Sequence, residues 1–461
     1  MSFARYPAYK DSGVEWLGEV PGHWEVVRLN TTATCNDEVL LESTAEDYEI
    51  EYVEISGVQA GQGITETATL PFGNAPSRAR RVVRDGDVLI STVRTYLRAI
   101  AQVKSPPENM IASTGFAVLR PRRIDSRFLG YACHAEGFVS DVIARSVGVS
   151  YPAINASELA RLPIPLPTAP EQTAIATFLD RETAKIDALV AEQEKLIALL
   201  QEKRQAVISH AVTKGLDPNV PMKDSGVEWL GEVPAHWAVG NCGFYLRILS
   251  GFAFPSSGFT DDDSAHRLLR GANVGVSRLK WDDTVYWQRS EGDGLDDYEM
   301  VEGDLVIGMD RPLIGEGMRV AKVTAQDLPS LLLQRVASLK VGNKLHPDYL
   351  HYLLASEMFI AHFSPETTGV SVPHISPDQI NKFVIPIPPM SEQLAIVNDV
   401  KRLLAEFGGL IAESEIAVGL LQERRTALIS AAVTGQIDVR GLVGGANAPD
   451  SVAASAYPAS A

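Results

Sequence analysis

Apolar positions follow two different periods along this chain. Between residues 170 and 214, and again between 391 and 435, they keep a heptad. In the first run Leu179, Ile186, Gln193, Leu200 and Val207 form one row beside Val190 and Ile197. In the second, Val400, Phe407, Ser414, Leu421 and Leu428 stand beside Ile411 and Val418. After Pro170 the first run is free of Pro and Gly until Gly215, which predicts a helix of about 40 residues, about 60 Å at 1.5 Å per residue. Pro163, Pro165, Pro167 and Pro170 before it read as an extended lead-in that cannot be helical. Gln193 and Ser414 interrupt the same row at equivalent places, a device for fixing register, while Gly408 and Gly409 weaken the second helix locally. Each helix could pack on its own body alone. A single seam of this length instead favours a long partner, and the other copy supplies one; related by a twofold, the two would run antiparallel as a rod between two bodies.

Elsewhere the period shortens. VEISGVQ (53–59), DVLISTV (87–93) and FAVLRP (116–121) alternate as strands, with LVIGM (305–309) and ASLKV (337–341) as counterparts. SRFLGYACHAEGFVSDVIA (126–144) and PDYLHYLLASEMFIAHF (347–363) read as helices. Each body is therefore mixed α and β.

The chain is also written twice. KDSGVEWLGEVPGHWEV at 10–26 recurs as KDSGVEWLGEVPAHWAV at 223–239. At an offset of 221, GVSYPAI (148–154) meets GVSVPHI (369–375), IPLPTAPEQ (164–172) meets IPIPPMSEQ (385–393), and LLQEKRQAVISHAVT (199–213) meets LLQERRTALISAAVT (420–434). Between these anchors the copies diverge, apart from a faint RDGDVLISTVR (84–94) against VEGDLVIGMDR (301–311). Two long copies, unlike the many short ones of a solenoid, predict a pseudo-twofold protein whose similar frames hold dissimilar bodies.

Charge complicates a nucleic-acid reading: 41 basic against 58 acidic residues give −17, a field that repels phosphate. The distribution is uneven. Residues 76–130 carry eleven Lys or Arg against four acids, whereas 36–54 carry eight acids and no base, so one surface could still be basic. Within that stretch Arg78, Arg80, Arg81, Arg94 and Arg98 are candidate DNA contacts, and Arg267, Arg270, Arg311, Arg319 and Arg335 are candidates in the second body. Arg94 and Arg311 each follow an apolar strand, where a loop can project a guanidinium toward guanine or a phosphate. A salt bridge to a neighbouring Asp is the competing reading.

No run approaches eighteen apolar residues and the N-terminal residues lack the core of a secretion signal, which predicts a cytoplasmic protein. Cys35, Cys133 and Cys242 are too few and too scattered for a disulfide framework or zinc site and read as small buried hydrophobes; no histidine spacing suggests a metal. The GxG fragments at Gly61–Gly63 and Gly315–Gly317 read as turns, since no GxxxxGK sequence accompanies them. An Asp/Asn-Pro-Pro-aromatic motif, a nuclease carboxylate and lysine cluster and GxSxG are all missing, which argues against an enzyme. The tail after Arg440 is small and polar enough to be disordered.

The doubled DSGVEWLGEVP segment ending in HW, GVSxPxI before a proline-rich stretch ending in EQ, and long helices ending LLQEKR and LLQERR together resemble the specificity subunits of type I restriction-modification systems, over about residues 5–438. The resemblance implies an α+β chain: two mixed α/β target-recognition domains related by pseudo-twofold symmetry and separated by two long antiparallel coiled-coil helices. Its implied parts are an opening segment at 1–26, a recognition domain at 27–160, and a first spacer helix with linker at 161–222. A second opening segment at 223–239, a recognition domain at 240–383, a second spacer helix at 384–440 and a tail at 441–461 follow. It further implies a non-catalytic subunit that binds no cofactor, reads a split asymmetric site on double-stranded DNA, and docks two methyltransferase subunits through its opening segments and helices. Those partners would use S-adenosylmethionine to methylate adenine, and motor-nuclease subunits can join them. A coiled-coil scaffold that never reads DNA is the rival, favoured by the acidity.

Overall fold

The two heptad runs form helices Ala169–Lys214 and Met390–Val433 in a computed structural model that describes residues 3–314, 317–367 and 374–442. Every heptad position named above is buried or half-buried, Gln193 and Ser414 included. The second helix runs unbroken through Gly408 and Gly409. Residues 369–373 of the GVSVPHI stretch, Gly315 and the tail from 443 lie outside the described residues.

The chain divides into two units, Met1–Glu194 with Ile416–Ala461, and Lys195–Glu415, so the division falls inside both long helices. In the first unit the start of one helix lies beside the end of the other: Arg425 Nε donates to Asp187 Oδ1 at 2.8 Å, and Arg181 Nη1 to the carbonyl of Leu442 at 3.3 Å. In the second, Lys203 lies 5.7 Å from the ring centroid of Phe407. Each helix therefore serves two hydrophobic cores. Ile175, Leu179, Ile429 and Val433 enter the first, and Ile208, Val212, Ile396 and Val400 the second.

Both bodies share one strand order despite their sequence divergence. The first has an antiparallel sheet in the order Ile100–Gln102, Val88–Ser91, Phe116–Pro121, Ala33–Cys35. Its second sheet runs Ala68–Pro71, Glu49–Val53, Met110–Ser113, Ala79–Val82, with the middle pair parallel. The other unit repeats this as Val320–Lys322, Leu305–Gly308, Val336–Val341, Leu246–Ser250, and as Tyr286–Trp287, His266–Leu269, Ser330–Leu332, again with one parallel pair. In place of Ala79–Val82 that unit has a single antiparallel bridge, Glu299 to Leu331. The expected strand at 53–59 is interrupted by a 3-10 turn at Ile55–Gly57.

Each expected body helix is broken once, into Ser126–His134 and Glu136–Ala144, and into Pro347–Ala355 and Glu357–Thr367. The physical reason is tertiary. The amide freed at each break finds a serine on a long helix: Glu136 N donates to Ser430 Oγ at 3.0 Å, and Glu357 N to Ser209 Oγ at 3.4 Å. The proline lead-in is extended as expected, except at its last member. Pro163–Leu166 and Val384–Ile387 are strands paired with Glu25–Arg28 and Ala238–Asn241, while Pro170 falls inside the first helical turn, where its missing N–H costs nothing.

The repeated HW and EQ dipeptides meet in space. Glu171 accepts from His23 Nε2 at 2.9 Å and Trp24 Nε1 at 3.4 Å; Glu392 accepts from His236 Nε2 at 2.7 Å and Trp237 Nε1 at 2.8 Å. The neighbouring glutamines cap the bodies. Gln172 Oε1 accepts from Asp125 N and Gln393 Oε1 from His346 N, both at 2.8 Å, at the residues that begin the body helices. Of the cysteines, Cys133 and Cys242 are buried, but Cys35 is only half-buried, its thiol 3.9 Å from the carbonyl of Ala156.

Candidate nucleic-acid interface

Arg94 and Arg311 stand three residues past the ends of equivalent central strands, Val88–Ser91 and Leu305–Gly308. The residue before each makes an isolated antiparallel bridge, Val93 to Ala153 and Asp310 to His374. Ile154 N then donates to Thr92 O and Ile375 N to Met309 O, both at 2.9 Å. Both arginines are left-handed, at φ 51° and 43°, a conformation that costs a non-glycine residue about 1–2 kcal/mol. Arg98 (φ 55°) and Arg335 (φ 69°) share it, so four of seven described non-glycine residues at positive φ are candidate arginines. Strain of this kind persists only where the surrounding structure holds it in place.

Their surroundings separate these arginines. Arg94 is exposed; its guanidinium lies 4.5 Å over the Tyr151 ring and its N–H donates to Pro152 O at 2.8 Å. Arg311 is exposed too, and neither makes an ion pair with another described residue. Arg98, at the far end of the turn Thr95–Leu97, is held by both oxygens of Glu136 at 2.5 and 2.6 Å. That pairing raises the arginine's pKa and lowers the glutamate's.

Arg335 pairs with Asp310, whose other oxygen lies 2.7 Å from His374 Nδ1. Burial opposes the Asp310 charge, yet these two partners outweigh it and hold the carboxyl below its ordinary range. The acid beside Arg311 is thus occupied. Arg319 supports the same loop from behind, donating to the carbonyls of Val274 at 2.8 Å and Asp310 at 3.2 Å, with its pKa lowered chiefly by burial.

The remaining candidates lie on the other sheets. Arg80 and Arg81 belong to Ala79–Val82; the Arg80 guanidinium sits 5.0 Å over the Phe72 ring, and Arg81 Nε is buried without a described partner. Arg78 pairs with Glu54, Arg270 with Asp283 at 2.9 Å, and Arg267 lies 5.3 Å over Trp281 while donating to Gln326 O at 2.7 Å.

The segregated charge of the sequence is not a free basic face. Acids from 36–54 fold onto the basic stretch: Glu54 takes Arg78, Glu38 takes Arg84 and Arg120, and Asp37 takes Arg120 and Arg122. Separation along the chain becomes pairing across sheets, which leaves few guanidiniums for a polyanion.

A cluster absent from the candidate set adjoins Arg94. Val147, Val149 and Tyr151 are 81%, 101% and 60% exposed, and Tyr96 and Leu97 are 51% and 47% exposed. The available signal was the GVS triplet, identical in both copies. Among the described residues there is no cluster of metal-ligating side chains, and no helix is long and apolar enough to cross a membrane.

Residues 21–198 and 289–413 match a family described as the type I restriction modification DNA specificity domain. The chain is 34% identical over 212 residues to the type I restriction enzyme EcoAI specificity subunit of Escherichia coli, a match covering 46% of this chain and 35% of that protein. It therefore spans about a third of that relative's length. Against the type I restriction enzyme MjaVIII specificity subunit of Methanocaldococcus jannaschii it is 24% identical over 430 residues, covering 92% of this chain and 95% of the other. A solved chain from work on complex assembly and conformational transition of the type I R-M system has the same fold, with a TM-score of 0.66 at 23% identity over 90% of this chain and 98% of that one.

Proposed function

This chain belongs to the type I restriction modification DNA specificity family, and from that premise we propose that it is the subunit that tells a type I restriction-modification complex where to act. Its recognition domains, at 27–160 and 240–383, each bind one half of a bipartite asymmetric DNA site. Phosphate contacts position each domain, and base-edge contacts, worth about 1–3 kcal/mol each, specify the half-site. The long helices set the gap between half-sites and, with the opening segments, dock two methyltransferase subunits. The chain itself performs no chemistry. S-adenosylmethionine is bound by the methyltransferases, motor-nuclease subunits join for restriction, and the complex works in the cytoplasm.

One observation carries this reading: two bodies with a single strand order and divergent sequences sit in frames tied by the same His, Trp, Glu and Gln contacts. Equal frames with unequal bodies suit two related tasks on different targets. The −17 charge, with Arg78, Arg98, Arg270 and Arg335 among the candidates internally paired, suits a subunit whose DNA affinity is completed by its partners. Co-expression with the methyltransferase encoded beside it, followed by mapping of methylated adenines across a host genome, tests the proposal. A single bipartite motif is expected; methylation without a motif, or with one continuous half-site, refutes it.

A further inference from the structure

We infer that Arg94 and the loop 146–152 beside it grip the sugar–phosphate backbone of the duplex rather than read bases, and that Arg311 makes the equivalent contact in the second unit. The inference rests on the DNA-binding reading above and divides its contacts into two kinds.

The first ground is equivalence. Two bodies that recognise different half-sites must differ in the groups that touch base edges, while groups held in common serve what the half-sites share, which is the backbone. Arg94 and Arg311 are such a common feature. Each stands three residues beyond its strand, follows a residue bridged to the GVSxPxI segment, and is held in the left-handed region. The strand carrying Arg80 and Arg81, reduced in the second unit to the single antiparallel bridge of Glu299 to Leu331, is the kind of element that can read sequence.

The second ground is that folding accounts for the other repeated motifs but not for this one. Trp24, Trp237, Gln172 and Gln393 recur because they are buried and bonded within their own units. Gly148 has φ 124°, which explains the glycine. Val149, identical in both copies, is wholly exposed and fills no core. A valine with no folding role beside an arginine that makes no ion pair among the described residues fits the mixed chemistry of a nucleic-acid strand, methyls against deoxyribose and guanidinium against phosphate. Tyr151, beneath the Arg94 guanidinium, fixes that group over the same patch.

The test uses the chain assembled with its methyltransferase subunits, a cognate duplex and a scrambled one, and anisotropy titrations over a salt series. For Arg94→Ala we expect weakening by the same factor on both duplexes, a salt slope smaller by about 1, and an unaltered methylated motif. Arg94→Lys should restore the slope, which separates lost charge from lost fold. Val149→Asp should weaken both duplexes alike. Loss confined to the cognate duplex, or a motif relaxed at one base, would make Arg94 a base reader and overturn the inference. Failure of Val149→Asp to assemble with the methyltransferases would overturn it differently, making the loop a protein-docking face. A parent complex that binds both duplexes equally would defeat the proposed specificity, while its scrambled-duplex slope would still decide the backbone contact.

Discussion

His23 Nε2 lies 2.9 Å from Oε1 of Glu171, 148 positions later, and this contact fastens the opening segment to the start of the first long helix. Its counterpart, His236 with Glu392, does the same for the second helix. The two carboxylates differ in burial: Glu171 is 6% exposed and also accepts from Thr168 Oγ1 at 2.8 Å, whereas the Glu392 side chain is 41% exposed. Burial opposes the Glu171 charge, but hydrogen bonds from His23, Thr168 and Trp24 hold its pKa below the ordinary range.

Removing Glu171 strands the buried Trp24 indole N–H, so Glu171→Ala should destabilise the protein by about 1–3 kcal/mol. Glu392→Ala frees the equally buried Trp237 indole N–H, but water already reaches that carboxylate and can take its place, so the cost should be smaller, about 1 kcal/mol. Urea unfolding of both variants checks the order. Equal losses, or a larger one at Glu392, would contradict the difference in burial.

Each long helix ends on a left-handed glycine packed against the same tryptophan pair. A Cβ on Gly215 (φ 78°) would meet Trp237 Cζ2 at 3.1 Å, while one on Gly435 (φ 77°) would meet Trp24 Cη2 at 3.1 Å and collide with Pro21. Gly215→Ala should therefore cost about 1 kcal/mol from backbone strain alone. Gly435→Ala should cost about 2 kcal/mol or more, because rigid Pro21 must also move. Thermal melts of the two single variants distinguish these outcomes, and a Gly435→Ala variant as stable as the parent would remove that tryptophan contact from the account.

His351 makes stability depend on pH. Its Nε2 lies 3.3 Å from Ser277 Oγ, its Nδ1 is buried with no partner among the described residues, and burial, aided by Lys322 and opposed by Asp348, lowers its pKa from 6.5 to about 4. Between these values the unfolded chain binds a proton that the native one refuses. Stability from this group is complete above pH 6.5, falls as pH drops, and levels near pH 4, a loss of up to about 3 kcal/mol. Denaturant midpoints at pH 7 and 5 should converge in His351→Gln relative to the parent. An identical pH response in that variant would show the proton is bound elsewhere.

Periodicity made the long helices legible because a heptad persists through every turn, and the exact repeats exposed the duplication. The clamps were not legible: His23 and Glu171 are far apart in sequence, and nothing local announces that HW and EQ will meet. The breaks at Ala135 and Ser356 escaped for a similar reason, since the apolar period continues across them and the stabilising serines lie on another helix. Charge misled most. Arg120 reads as one of eleven available cations, yet it is a half-buried hub bonded to Asp87, Glu38 and Asp37. Arg94 is legible as a loop arginine from its place after an apolar strand; its left-handed backbone and its Tyr151 partner required the fold.

The proposed ruler makes the sharpest prediction. Inserting one heptad into each long helix, after Glu194 and after Glu415 where the units divide, lengthens each by about 10.5 Å while nearly preserving the apolar seam. At about 3.4 Å per base step, the gap between the two methylated half-sites should grow by about 3 base pairs with both half-site sequences unchanged. Four-residue insertions serve as the contrast. They displace the seam by about 40°, against about 20° for a heptad and in the opposite sense, and should lower the melting temperature without giving a clean new gap. Methylome sequencing of cells carrying the heptad-extended chain reads the result directly. A gap of unchanged length beside intact half-sites would mean the helices do not set the spacing.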